Sequence, residues 1–267
     1  MKIVVFDLDE TLGYFTQFGI FYDSLIHCLH IDTLSDEDFD ALLDLYPVFL
    51  RPNILHILHY LKKKKMSNCC HKMMIYTNNN GPRTWAKKIV GYFERKLKFT
   101  LIDQIIAAFK INGQCVEFCR TTHNKCHRDL IKCTKIPENA HICFIDDFYY
   151  PEMEHENIYY INIKPYYHDI PFNKMIQVFM QSSIAKQWMV SKSFIKDMIT
   201  HIRAFHYTVL PKDPKEYEID KLLGKQIVSH LYTFFNQTHK KTHKKHPTHT
   251  HTCYKNKTLK HKKYQIE

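Results

Sequence analysis

The sequence has no apolar run that approaches the roughly 18–20 residues needed to cross a bilayer. It also lacks the long apolar stretch and small-residue cleavage site of a signal peptide, because Asp7 and Asp9 follow a short apolar run at its start. Apolar residues make up 45% of the 267 residues, which excludes wholesale disorder. We therefore expect a soluble, intracellular (cytoplasmic) protein that makes no membrane contact.

Closely paired metal-binding cysteines are missing as well. The nine cysteines are irregularly spaced and include no CxxC pair, which disfavours a zinc knuckle. A zinc site built from Cys115, Cys119, His123 and Cys126 is the alternative interpretation. Because an intracellular chain seldom carries a disulfide framework, we expect free thiols instead.

A basic body is absent too, although the net charge is +11. Residues 236–267 contain nine lysines and one acid, a local balance of +8 that leaves +3 for the rest of the chain. This segment, rich in Lys, His and Thr, has too few apolar residues to fold alone, so we predict a disordered tail. We interpret it first as a solvated extension. Weak, salt-sensitive nucleic-acid contact and metal binding by its six histidines are the alternatives.

Short apolar runs without polar alternation are typical of buried parallel strands. Four of them lie at residues 3–6, 73–76, 142–145 and 158–161. Residues 101–109 fit a further strand or a helix. Helical periodicity lies between the runs, and strands that alternate with helices indicate an α/β fold, here a Rossmann-like parallel sheet with flanking helices.

The helical patterns also suggest how the chain is divided. We predict a catalytic domain at 1–180, a helical extension at 181–235 and the tail at 236–267. A small helical insert is expected at about 13–50, with Ser35 as the cap of its second helix. The predicted helices lie at 21–29, 36–45, 53–65 (with Pro52 in its first turn), 84–98, 127–133, 183–207 and 216–235.

Three of the apolar runs end in residues suited to phosphoryl chemistry. The endings are Asp7-Leu8-Asp9-Glu10-Thr11, Thr77-Asn78 and Asp146-Asp147. Ligands bind beyond the carboxyl ends of strands in open α/β sheets, so parallel neighbouring strands would bring the three endings together.

These residue types indicate a specific reaction. A carboxylate nucleophile, Asp7, splits phosphoester hydrolysis into two steps through an aspartyl-phosphate. Mg²⁺ prefers oxygen ligands, so Asp7 and Asp146 are expected to bind it by their carboxylates and Asp9 by its carbonyl, with Asp147 beside them or acting through water. The Asp9 side chain suits a general acid and base, and the Thr77 hydroxyl suits the phosphoryl oxygens.

The same residues resemble a known family. Residues 4–12, Val-Val-Phe-Asp-Leu-Asp-Glu-Thr-Leu, look like motif one of the haloacid-dehalogenase superfamily. The DLDETL form and Arg51-Pro52 resemble the phosphatases that act on the RNA polymerase C-terminal domain. Residues 75–78 and 144–147 resemble motifs two and four. The resemblance covers about residues 1–180 and is nearest to predicted hydrolases of this superfamily in large DNA viruses and protists.

The resemblance implies a third motif, a lysine that neutralises the phosphate and the nucleophile. Lys125 is our choice because it precedes a predicted helix that leads into the strand of motif four. Lys132 and Lys110 are the alternatives. Asn78 begins a loop with turn residues after the second apolar run, and we expect it to lie near the site and to bind phosphate. The insertion with which C-terminal-domain phosphatases grip a peptide is not recognisable here, so protein-phosphatase activity does not follow.

We therefore predict a Mg²⁺-dependent phosphomonoester hydrolase whose substrate is a phosphoprotein, a nucleotide or a sugar phosphate. One alternative is a phosphatase of nucleic-acid ends, with the basic tail holding the polymer. Another is an inactive protein that binds phosphorylated partners. The aromatic cluster Tyr14, Phe15, Phe18, Phe21 and Tyr22 is interpreted as the core of the insert, with a substrate-facing wall as the alternative.

Overall fold

The computed structural model describes residues 1–188 and 192–237, and a five-stranded sheet lies at its centre. All neighbouring strands of this sheet are parallel, which confirms the predicted α/β class. The strands are β1 (Lys2–Phe6), β2 (Lys72–Tyr76), β3 (Gln104–Ile106), then β6 (His141–Asp146) and β7 (Ile158–Asn162). Two short strands, β4 (Lys110–Ile111) and β5 (Gln114–Cys115), form a separate antiparallel pair.

The strand order is β3-β2-β1-β6-β7, so β1 is the middle strand. Phe6, its last residue, pairs with Ile75 of β2 on one side and with Ile145 of β6 on the other. The chain segments that follow these three strands therefore leave the sheet side by side. This register places the three polar endings at one edge of the sheet, as the sequence predicts.

Nine α-helices lie within the described residues. They are α1 (Thr16–Leu29), α2 (Asp36–Asp44), α3 (Ile54–Met66), α4 (Arg83–Leu97), α5 (His127–Thr134), α6 (Phe172–Gln181), α7 (Ser183–Gln187), α8 (Lys192–Ala204) and α9 (Pro214–Asn236). The prediction of two helices in the insert is confirmed, and the Asp38 amide donates to the Ser35 hydroxyl at the cap of α2.

Two of the helix predictions need correction. Residues 183–207 form α7 and α8 rather than one helix, and α6 was not anticipated. Pro52 precedes Asn53, the cap of α3, and so lies before the first turn and not within it. The strand predicted within residues 101–109 is confirmed, because β3 lies there.

Helices cover both faces of the sheet, which explains the unbroken apolar runs of its strands. Val4 and Phe6 of β1 face the larger core, which the insert, α3, α4 and the C-terminal helices complete. Ile3 and Val5 face a smaller core that includes residues of α5. In the insert, the centroid of the Phe18 ring lies within 6.0 Å of the ring centroids of Phe39, Phe49 and Trp85. These contacts confirm an aromatic core there.

Helix α9 is fastened to the sheet domain at two places. Gly224 lies so near the backbone of the segment before α3 that an added Cβ would be 2.3 Å from the Pro52 carbonyl oxygen. Near the end of α9, the Lys2 ammonium of β1 donates to the carbonyls of Phe234 and Phe235, both at 2.8 Å. The C-terminal helix α9 therefore packs against the domain that contains the sheet.

The expectation of nine thiols is wrong for two cysteines, because Cys119 and Cys133 form a disulfide. The link joins the loop before α5 to the last turns of that helix, which spacing along the sequence did not suggest. A disulfide-bonded Cys119 cannot ligate zinc, so the alternative four-residue zinc site is excluded. Six further described cysteines are free thiols: Cys28, Cys69, Cys70, Cys115, Cys126 and Cys143.

No described helix combines the length and the apolar character that a membrane crossing requires. The predicted disordered tail lies almost wholly outside the described residues, since α9 ends at Asn236 and the description ends at Gln237.

Candidate active site

The candidate site lies beyond the carboxyl ends of β1 and β6. Asp7 follows β1 directly, and its amide donates to the carbonyl of Ile145 at 2.9 Å, which continues the sheet pairing by one residue. Asp146 is the last residue of β6. Both side chains are buried. The adjacent parallel strands therefore bring together two carboxylates that are far apart in the sequence.

Lys125 lies between these two acids. Its ammonium nitrogen is 2.5 Å from Asp7 Oδ1 and 2.6 Å from Asp146 Oδ2, and the residue is 1% exposed. Burial lowers the pKa of Lys125, but the charges of Asp7 and Asp146 outweigh this effect and hold the pKa above its ordinary value. The alternative lysines, Lys110 and Lys132, are both exposed to solvent.

Asp147 completes a cluster of three carboxylates. One ligand oxygen from each of Asp7, Asp146 and Asp147 lies within 4.8 Å of the other two. Within the described residues, this is the one group of three or more Asp, Glu, His or Cys side chains whose ligand atoms come so close together. The Thr11 hydroxyl donates to Asp147 Oδ1 at 3.0 Å and so orients its carboxylate. The cluster includes both acids of the predicted pair.

The charges of the cluster favour a bound cation. Burial raises the pKa of Asp146 to about 7, partly opposed by Lys125 and increased further by Asp7. Burial also raises the pKa of Asp147 to about 7, with Asp7 as the next contribution. One lysine therefore leaves the three carboxylates short of positive charge. An all-oxygen set of this kind fits Mg²⁺, which takes one or two carboxylates and keeps its waters.

Asp9 lies apart from the carboxylate cluster. Its Oδ2 accepts a hydrogen bond from Asn79 Nδ2 at 2.7 Å. Loss of water around the carboxyl raises the pKa of Asp9 to about 6; the Asn79 hydrogen bond opposes the shift and the charge of Asp7 adds to it. A carboxyl group that titrates near neutral pH is suited to give and take a proton.

The loop after β2 contributes Thr77, Asn78 and Asn79. Thr77 is buried, and its hydroxyl oxygen accepts from the Asn79 amide at 3.0 Å, which leaves the hydroxyl hydrogen able to donate. Asn78 Nδ2 donates to the Tyr150 hydroxyl at 2.9 Å. The asparagine that touches an acid of the site is thus Asn79, a residue that the sequence analysis did not select.

Arg120 is a second residue that sequence reasoning missed. Its buried guanidinium donates to the backbone carbonyls of Thr77 at 3.2 Å, Ala107 at 2.8 Å and His123 at 2.8 Å. It thereby ties the loop after β2 to the loop that carries Lys125. No motif or periodicity marks Arg120, because the groups that accept its hydrogen bonds are backbone carbonyls.

Arg51 performs the same task for the loop after β1. Its Nε donates to the Thr11 carbonyl at 2.6 Å, and its Nη2 donates to the carbonyls of Glu10 and, at 2.9 Å, Lys164. Glu10 has a φ of 56°, in the left-handed region, so this turn needs outside support. The Arg51-Pro52 pair was noted in the sequence, but the contact with the carbonyls of the motif was not.

Comparisons of the chain with protein-family models, with curated proteins and with solved structures found no match. The geometry of the site therefore carries the functional argument.

Proposed function

We propose that this protein is a Mg²⁺-dependent phosphomonoester hydrolase that works through a phosphorylated Asp7, and that it belongs to the haloacid-dehalogenase superfamily it resembles. The observation that carries the proposal is the buried Lys125 ammonium between Asp7 and Asp146, with Asp147 completing an oxygen cluster. The second supporting observation is Asp9, a separate carboxyl group suited to proton transfer.

Asp7 and Asp9 divide the chemistry between them. An Asp7 oxygen forms a bond to phosphorus as the bond to the leaving oxygen breaks, and Asp9 gives that oxygen its proton. Asp9 then accepts a proton from the water that attacks phosphorus, and the bond between Asp7 and phosphorus breaks. Phosphate leaves, and both acids return to their starting states.

Other residues hold charge and orientation. Lys125 neutralises the charge of Asp7 and can also stabilise the negative charge of a phosphoryl group transferred to Asp7. The Thr77 hydroxyl, whose hydrogen is free to donate, and Asn78 are assigned to the phosphoryl oxygens. Asp7, Asp146 and Asp147, with the carbonyl of Asp9, would hold Mg²⁺. When bound, Mg²⁺ would stabilise the negative charge that develops on the phosphoryl oxygens.

Hydrolysis of para-nitrophenyl phosphate tests the proposal. We expect turnover with Mg²⁺ that EDTA abolishes and that Asp7→Asn lowers by at least about 10³-fold, because the nucleophile is lost. Asp197→Asn is the matched control, since Asp197 lies exposed on α8, away from the site, and should keep wild-type activity. If the wild type turns over neither this substrate nor a broad panel of phosphomonoesters, the hydrolase proposal is wrong.

Metal binding can be tested without turnover. A ligand that binds only the folded state raises the melting temperature, so Mg²⁺ should stabilise the wild type in a concentration-dependent way. The double variant Asp146→Asn/Asp147→Asn should lose this stabilisation, whereas Asp197→Asn should retain it. An equal response of the double variant and the wild type would mean that Mg²⁺ binds elsewhere.

A further inference from the structure

The turn that follows the acid pair presents a phenylalanine ring to solvent beside the candidate site. Of the phenylalanines in the described residues only Phe118 and Phe148 are exposed, and Phe148 is 62% exposed. Its position in the chain is one residue beyond Asp147. Phe148 is therefore the next residue in the chain after the carboxylate cluster.

The backbone of Phe148 is fixed on both sides. Its amide donates to Asp146 Oδ1 at 2.8 Å, and its carbonyl accepts from the Tyr160 hydroxyl at 2.9 Å. The Tyr160 hydroxyl oxygen also accepts from the Tyr150 amide at 2.9 Å. Because these hydrogen bonds hold the backbone of the turn, a ligand that packs on the Phe148 ring costs little conformational entropy. The ring is therefore pre-organised for binding.

Two ring contacts connect Phe148 to the phosphoryl site. The ring centroids of Phe148 and Tyr150 are 4.9 Å apart, and the Lys125 ammonium lies 5.5 Å from the Tyr150 centroid. The Tyr150 hydroxyl accepts from Asn78 on the other side. Tyr150 thus forms a wall between Lys125 and the exposed ring, and Phe148 extends that wall outward.

We propose that Phe148 is a specificity-determining residue that stacks against a flat ring in the leaving group, and that the preferred substrates are nucleoside monophosphates. This inference rests on the proposed phosphohydrolase function for the role of the neighbouring acids. We place the leaving group of a monoester whose phosphate contacts Lys125 on the solvent side of Tyr150, where the exposed Phe148 ring packs.

The chemistry of the ring favours a nucleobase over a sugar or an aliphatic chain. Aromatic rings gain from offset or edge contacts with other flat rings at centroid distances of about 4.5–7 Å. A bare sugar phosphate would bring hydroxyl groups against the ring and lose their hydration without a partner. Stacking is tolerant of base identity, so we expect selectivity for a base but little discrimination among bases.

Binding measurements in an Asp7→Asn background test this inference apart from catalysis. Titration calorimetry with adenosine monophosphate and with glycerol phosphate gives the ratio of their affinities. Phe148→Ala should weaken adenosine monophosphate about 5- to 100-fold, as removal of a stacked aromatic partner does, and should leave glycerol phosphate within about twofold. Phe148→Tyr keeps the ring and should keep the ratio. Tyr232→Ala removes a ring that is 59% exposed on α9 and is the matched control.

The outcomes separate this inference from the proposed function. If Phe148→Ala weakens both ligands equally or neither, or if the Asp7→Asn protein binds neither ligand, the stacking role is wrong. A selective loss of adenosine monophosphate affinity with a catalytically silent wild type would support the stacking role and refute the hydrolase. In an active wild type, kcat/KM for the two substrates should follow the same ratio in the same variants.

Discussion

Lys125 Nζ and Asp7 Oδ1 lie 2.5 Å apart in a buried ion pair, although 118 residues separate them in the sequence. Asp146 shares the same ammonium at 2.6 Å. In an environment with little water, such an arrangement is stable only while the charges are matched, because an unpaired buried charge is costly. The same contact therefore contributes both to the stability of the fold and to the charge balance of Asp7, the proposed nucleophile.

Replacement of this lysine tests that connection. Lys125→Met leaves Asp7 and Asp146 without their cation, so we expect the free energy of unfolding in urea to fall by about 3–5 kcal/mol. Lys132→Met, at an exposed lysine only seven positions along the chain, should change it by less than about 0.5 kcal/mol. Equal effects of the two substitutions would show that the ion pair is not formed.

Asn79→Ala tests the partner of the candidate general acid. Without the Asn79 hydrogen bond the Asp9 carboxyl is neither oriented nor stabilised as an anion. We expect kcat on para-nitrophenyl phosphate to fall about tenfold, less than the 10²–10⁴-fold contribution typical of a whole acid–base group, while KM changes little. The neighbouring Asn80→Ala, at an exposed position, provides the control. A change in KM alone would argue that Asn79 binds substrate rather than positioning Asp9.

The close approach of α9 predicts opposite effects at two helical glycines. An added Cβ at Gly224 would overlap the Pro52 carbonyl oxygen, so Gly224→Ala should destabilise the protein by about 1–3 kcal/mol. At Gly19 in α1 the nearest atom is a Trp85 ring carbon at 3.6 Å, an ordinary contact. Gly19→Ala should therefore stabilise by up to about 1 kcal/mol through helix propensity. Thermal unfolding of both variants checks the pair, and stabilisation by Gly224→Ala would contradict the packing of α9.

His201 of α8 makes the stability of the protein depend on pH. Its ring stacks on His27 at a centroid distance of 4.1 Å, and burial, followed by the His27 charge, lowers the pKa of His201. The folded state thus binds the proton more weakly than the unfolded state, whose pKa is near the ordinary 6.5. The contribution of neutral His201 to the free energy of unfolding is therefore fully present above pH 6.5. It is lost as the pH falls through that value toward the lower pKa of the folded state. His201→Phe should show a smaller loss of unfolding free energy between pH 7.5 and 5.5 than the wild type, and an unchanged loss would exclude the stack as its source.

Short-range patterns in the sequence account for most of the fold. The strands β1, β2, β6 and β7 were predictable because burial on both faces removes polar alternation. Helix α6 was missed although Pro171 marks its start and its buried residues Met175, Ile176 and Phe179 have helical spacing. The Cys119–Cys133 link was missed because disulfide formation depends on which loops meet in space and not on spacing along the chain.

The candidate site divides in the same way. Asp7, Thr77 and Asp146 follow apolar strands directly, so parallel topology was enough to bring them together. The family resemblance was needed to expect a lysine at all, and only the position of Lys125 before the predicted helix favoured it over Lys132 within that helix. Asn79 and Arg120 contact their partners across loops, and the hydrogen bonds of Arg120 all go to backbone carbonyls. Such contacts leave no pattern of residue types.

The central position of β1 has a consequence for how the protein folds during synthesis. β1 leaves the ribosome well before its partner β6, which begins only at His141. At roughly 5–20 residues per second, one edge of this apolar strand waits on the order of ten seconds for its neighbour. Pairings so distant in sequence also slow folding, because loop closure must precede any gain from contact. Until β6 is made, the nascent chain has an unpaired strand edge that invites association with other chains.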